Sequence, residues 1–258
     1  MGTIFRLKCN QTPPIQPPSP PMPRSHNSRG VWSNMEARGS ESGRKHTPDP
    51  LLLVLRLVPF LGTCALYFYL WMPLDKPSWI SALVKCLPIL CLALFVRTTA
   101  LARSYGRFIW AGLLCSALGD VFLIWPDQFL FGMAAFTLAH LFYLGALGWL
   151  SIRPTLMGTV AAFFGLYFWF LQSHLPSNLR LPVLVYSIIL GLMLWRGLTR
   201  GKWAAYGGLF FSISDAVLAW DTFVQPLFPG RLIIMTTYYT AQALLALSTV
   251  EDQAPKTD

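Results

Sequence analysis

Asp120 and Asp215 are carboxylates set within apolar stretches, in the segments GLLCSALGDVFLIW from Gly112 and GGLFFSISDAVLAW from Gly207. In each, a Gly stands eight residues before the aspartate, a Leu three after it and a Trp five after it. A charged side chain near mid-helix in a bilayer costs about 2.5 to 3.5 kcal/mol even on insertion scales, so such a residue ordinarily has a task. Two at matched positions suggest one site. Carboxyls facing one cavity repel each other, so one keeps a proton while the other stays ionised, an acid and a base with no cofactor.

Other side chains could join them. Lys85 has two readings, a partner for an aspartate or a ligand for a lipid phosphate. His140, in FTLAHLFY, shares a helical face with Phe136 and Tyr143 by i, i+4 and i, i+3 spacing, and is either a hydrogen-bonded core histidine or part of the chemistry. Tyr238, Tyr239 and Gln242, in YYTAQ, bind a polar headgroup or join helices by hydrogen bonds. Arg56 lies near a helix end, where it can snorkel. A zinc hydrolase wants several His, Asp or Glu ligands, yet only His140 lies well inside a span, so no metal is expected. No GxSxG elbow and no Walker-type phosphate loop occurs. Four of five cysteines lie in apolar runs with no CxxC pair, which reads as small-residue packing.

The elements that must position these groups are membrane helices. The chain of 258 residues is 54% hydrophobic and 12% charged, with 18 Phe and 10 Trp, far from a soluble domain's balance. Apolar windows near 51–72, 78–96, 107–125, 129–150, 154–172, 181–198, 203–220 and 231–250 predict an all-α polytopic protein of eight transmembrane helices. The net charge of +9 sits mainly in a tail and short loops, so it sets topology and does not indicate nucleic acid. With the N-terminus cytosolic, fifteen Lys and Arg fall on that side and only Lys76, Arg180 and Arg231 on the other, which predicts both termini cytosolic. Asp120, Asp215 and Lys85 then share one depth in the outer half of the bundle, with His140 and Gln242 nearer the midplane. Met133 leads Ala139-His140 as Met235 leads Ala241-Gln242, which extends the aspartate repeat and suggests a four-plus-four duplication. Residues 1–50, with PPIQPPSPPMP, read as a disordered cytosolic tail, 51–250 as the catalytic membrane domain and 251–258 as a short cytosolic end.

LVKCLPIL around Lys85, SALGDVFLIW, FTLAHLFY, FSISDAVLAW and MTTYYTAQ together resemble the lysoplasmalogenases of the YhhN-like transmembrane family, over about residues 51 to 250. LWRG, LAWDTF and MTTYY look most like its B-type animal branch, while Ala139 stands where the family often has Gly. The resemblance implies hydrolysis of the sn-1 vinyl ether of choline and ethanolamine lysoplasmalogens, in the endoplasmic reticulum membrane and without a metal. It maps the family's two catalytic acids onto Asp120 and Asp215. Lys85, His140, Tyr239 and Gln242 are then expected to bind or tune the substrate, a lysophospholipid within the bilayer, and a homo-oligomer is allowed. The other class open at this point is a lipid or small-molecule transporter, because duplicated helices and midplane ionisable groups also describe carriers.

Overall fold

The computed structural model describes residues 50–70, 77–149 and 153–252. Most of the expected N-terminal tail and the chain beyond residue 252 lie outside the described residues. The described residues form eight α-helices and no strand: α1 (Pro50–Leu70), α2 (Trp79–Thr99), α3 (Ser104–Phe122), α4 (Phe129–Leu147), α5 (Pro154–Leu171), α6 (Ser177–Arg200), α7 (Lys202–Phe223) and α8 (Gly230–Glu251). A short 3-10 turn, Pro126–Gln128, separates α3 from α4. Each predicted span finds its helix.

The ends of the helices differ from the apolar windows. The α6 helix runs from Ser177 to Arg200, beyond the window 181–198, because helical hydrogen bonding continues past the point where the side chains become polar. The third helix is displaced a turn: it begins at Ser104 and stops at Phe122, since Pro126 can neither donate to the helix nor let the residue before it stay helical. Asp120 therefore lies in the last turn of α3, whereas Asp215 lies two turns inside α7.

Among the described residues, six helices are long and apolar enough to cross a membrane. The two outside that set, α3 and α7, are those bearing the aspartates. Their Gly, Ser and Asp lower hydropathy but permit close packing: Gly112, Ser116, Gly119 and Asp120 are buried on α3, and Gly207, Gly208, Ser212 and Ser214 on α7. The converse holds for α1 and α5, whose Leu51, Val54, Leu55, Leu61, Phe163 and Trp169 point outward. So much exposed apolar surface suits hydrocarbon and not water, and the chain is a multi-pass membrane protein.

The α3–α4 and α7–α8 pairs make the most extensive helix contacts, and they pack in one register. A Cβ on Gly112 would strike the Tyr143 ring, and one on Gly207 would lie 2.9 Å from Leu245 Cγ. Gly132 approaches the Gly119 carbonyl, and at the equivalent crossing Ser214 donates to the Ile234 carbonyl at 3.0 Å. In each comparison the α8 residue stands to its α4 counterpart as Met235 stands to Met133, which carries the repeat from sequence into packing. At the end of the bundle near Pro50 and Glu251, Asp252 Oδ1 accepts from Arg200 Nη2 at 2.6 Å and its carbonyl accepts from Arg103 Nη1 at 2.6 Å, pinning α8 to α3 and α6.

The close α3–α4 crossing gives one expected result. A Cβ on Gly119 would come within 2.7 Å of Phe136 Cδ2, and Phe136 is itself wedged against Phe211 and Tyr238. Gly119→Ala should destabilise the folded protein by about 1 to 3 kcal/mol through overpacking, seen as a lower unfolding midpoint in detergent. Gly62→Ala, with nothing within 4 Å of the new methyl, should not.

Candidate active site

Residues of all eight described helices line a cavity of about 290 Å³. The N-terminal parts of α2, α4, α6 and α8 and the C-terminal parts of α1, α3, α5 and α7 contribute to it, so it lies toward the end of the bundle away from Pro50 and Glu251. Asp120 and Asp215 both line it, with Lys85, Tyr186 and Tyr238; its apolar wall includes Met133, Phe136, Phe164, Leu171 and Leu190.

The two carboxylates have unlike partners. Asp120 is engaged at both oxygens: Lys85 Nζ is 3.2 Å from Oδ1, and the Tyr238 hydroxyl donates to Oδ2 at 2.6 Å. Its side chain is 2% exposed and that of Lys85 13%. This is a buried ion pair with a hydroxyl satisfying the second oxygen, the arrangement that a buried charge requires. Lys85 stands here as the partner of an aspartate, one of its two sequence readings.

Asp215 has no lysine or arginine within 4 Å among the described residues. Its Oδ2 accepts a short hydrogen bond from the Tyr186 hydroxyl, and the side chain is 15% exposed toward the cavity. His140 Nε2 lies 3.0 Å from the Tyr186 oxygen and 3.7 Å from Asp215 Oδ2, while Nδ1 is buried with no partner among the described residues. Because Tyr186 spends its one proton on Asp215, Nε2 must donate to it. The network thus places a hydrogen on Nε2. A chain His140 to Tyr186 to Asp215 results, each hydroxyl or N–H donating to the next.

Tyr239 and Gln242 do not line this cavity. The Tyr239 hydroxyl donates to the Lys85 backbone carbonyl at 2.9 Å, holding α2 against α8. Gln242 Oε1 accepts from Tyr143 at 2.7 Å, and Tyr143 lies 3.2 Å from Ser116 Oγ, a junction of α3, α4 and α8 behind the site. The hydroxyls that reach the carboxylates are Tyr238 and Tyr186. Tyr238 had a signal, the i, i+4 spacing to Gln242, but its neighbour shares its burial. Tyr186 had only its place as the one tyrosine in the α6 apolar run. Among the described residues, no cluster of three His, Cys, Asp or Glu side chains is arranged to hold a metal ion.

The YhhN family pattern matches residues 80–249, a stretch containing every residue named in the two networks. The chain belongs to the YhhN family. Within it, the chain is 50% identical over 201 residues to "Lysoplasmalogenase TMEM86B" of Rattus norvegicus, covering 78% of this chain and 86% of that protein. It is 41% identical over 219 residues to "Lysoplasmalogenase TMEM86A" of Homo sapiens, covering 78% and 90%. A bacterial family member, "Lysoplasmalogenase" of Mycobacterium tuberculosis, is 33% identical over 171 residues, covering 60% and 66%. No solved structure matches the chain.

Proposed function

We propose that this chain is a lysoplasmalogenase of the endoplasmic reticulum membrane, cleaving the sn-1 vinyl ether of lysoplasmalogens to a fatty aldehyde and glycerophosphocholine or glycerophosphoethanolamine. All eight helices cross the bilayer with both ends cytosolic, so the cavity lies in the luminal half. The observation that carries the mechanism is that repeat-related aspartates line one cavity while only Asp120 is tied to a cation.

A vinyl ether is cleaved through carbon protonation. Transfer of a proton to the alkene carbon remote from oxygen gives an oxocarbenium ion; water adds to its carbon, loses a proton, and the hemiacetal collapses to aldehyde and alcohol. Asp120, bound to Lys85 and Tyr238, has no oxygen to spare for this exchange and acts as the fixed anion that stabilises the oxocarbenium ion. Asp215 delivers the proton from Oδ1, the oxygen to which no described residue donates. Tyr186 stabilises the carboxylate that remains, and His140 holds Tyr186 in the donating orientation. That carboxylate then takes the proton of the incoming water, which restores the acid within one turnover, as paired carboxylates do in glycoside hydrolysis. One chain supplies every group, so the reading requires no oligomer.

Tyr186→Phe tests the assignment. A hydrogen bond to a charged group contributes about 1.5 to 3 kcal/mol. If it is made to the carboxylate that forms in the transition state, kcat should fall about 10- to 100-fold with KM unchanged, measured by aldehyde release in detergent. Unchanged kcat would argue against Asp215 as the acid.

A further inference from the structure

The cavity reaches the surface of the bundle at two places of unlike character. Where α2 begins and α7 ends, its lining includes Pro77 and Thr222, both exposed. The second opening is on α5. Phe163 lines the cavity and is also 62% exposed, and one side chain does both only where the cavity breaks through to the lipid-facing surface. Phe163, Tyr167 and Phe170 share one face of α5 by i, i+4 and i, i+7 spacing. The two nearer Leu171 engage α7: the Tyr167 hydroxyl donates to the Ala216 carbonyl at 2.6 Å, beside Asp215, and Phe170 stacks on Trp220 with ring centroids 5.3 Å apart. The Tyr167–Ala216 offset of 49 residues places Phe163 opposite Ser212, a buried residue of the cavity lining. Phe164 packs instead on α6 at Gly191. The helix as a whole leans on α6 and touches α7 far less. The α5–α7 seam is therefore closed at its outer end and opens one turn from Tyr167 toward Pro154, about 6 Å along the axis.

We infer that the α5–α7 seam at Phe163 is the subsite through which the substrate's hydrocarbon chain leaves the cavity for the bilayer core. The inference rests on the lysoplasmalogenase reading for its ligand, a single-chain ether lipid. A cavity of about 290 Å³ lies at the small end of the roughly 300 to 1,000 Å³ pockets that hold compact ligands. It admits the glycerol and the vinyl ether, but not a long chain as well. The chain loses little by staying outside, because lipid tails are as apolar as the protein wall it would otherwise touch. The order along the cavity fits one orientation of such a lipid. Exposed Pro77 and Thr222 stand at the end facing water, where a polar headgroup belongs, and the carboxylates come next. The Phe163 opening lies beyond them, on the helix whose Leu166 and Trp169 already face hydrocarbon. Tyr167, tied to the residue after Asp215, fixes the rim of this opening relative to the acid and so sets which carbon of the chain stands at the carboxyl.

Photolabelling without turnover tests this. A saturated long-chain 1-O-alkylglycerophosphocholine, with a diazirine either near the ether or near the chain end, is bound to the full-length protein in phosphatidylcholine nanodiscs. It is irradiated with and without excess unlabelled analogue, and the label suppressed by that excess is mapped by mass spectrometry. The probe near the ether should label cavity residues, and the chain-end probe should label α5 around Phe163 and Leu166. Suppressible chain-end label inside the cavity, or on helices other than α5 and α7, overturns the subsite, as does none at all. Phe163→Trp changes an exposed side chain and so spares the fold. By crowding the opening it should weaken a long-chain analogue about 10-fold and leave a short-chain one within about twofold; equal loss for both, or for neither, counts against the subsite. Chain-end label on α5 in a protein that releases no aldehyde would uphold the subsite and count against the hydrolase reading, and aldehyde release with the label elsewhere would do the reverse.

Discussion

Asp215→Asn should lower turnover of a lysoplasmalogen by about 100- to 10,000-fold, the span that a positioned general acid contributes, while binding of a saturated ether analogue stays near wild type. The amide keeps the shape of the carboxyl and can still accept from Tyr186 through its oxygen, so the network around it survives. It cannot deliver a proton to carbon. A uniform loss of binding and turnover would instead mean that the cavity had been distorted. The corresponding change at Asp120 acts on a different link, because an amide there leaves Lys85 buried at 13% exposure without its anion.

Lys85→Met should be the most destabilising single substitution in the site. It leaves the Asp120 carboxylate buried with only the Tyr238 hydroxyl as donor, and breaking a buried pair from one side costs about 3 to 5 kcal/mol. The double variant Lys85→Met with Asp120→Asn should recover most of that stability, since a neutral amide no longer calls for a counter-ion. Activity should not return with it. Unfolding midpoints in detergent, compared with aldehyde release for the two variants, separate the ion pair's structural part from its electrostatic part in the reaction. Recovery of both together would mean that Asp120 is only a packing element.

Much of this was legible in the chain because a bilayer leaves few options. Spanning segments must be helical and near twenty apolar residues long, so turn residues and hydropathy located all eight helices. The cost of a carboxylate in hydrocarbon drew attention to Asp120 and Asp215, and the Gly112 and Gly207 spacing tied them to one repeat. The unlike environments of the two acids were hidden. Repeat-related sequences predict similar surroundings, but the counterpart helices α2 and α6 bring a lysine to Asp120 and a tyrosine to Asp215, so the asymmetry depends on the residue type at the contact and not on the aspartate segments themselves. Adjacent tyrosines were ambiguous for a simpler reason: Tyr238 and Tyr239 are both buried, and only the direction of each hydroxyl tells the Asp120 donor from the prop under Lys85. The end of α3 was misplaced because Leu123, Ile124 and Trp125 continue the apolar run after Pro126 has already stopped the helix.

In the proposed chemistry Asp215 protonates a vinyl ether beside a fixed Asp120 anion. The most direct measurement of this is aldehyde release by the purified protein from a lysoplasmalogen, run beside an ester lysophospholipid of equal chain length and repeated with Asp215→Asn. Aldehyde from the vinyl ether, no cleavage of the ester, and loss of aldehyde in the folded variant are the expected results. Cleavage of the ester alone, or near-normal aldehyde release by Asp215→Asn, would contradict this chemistry.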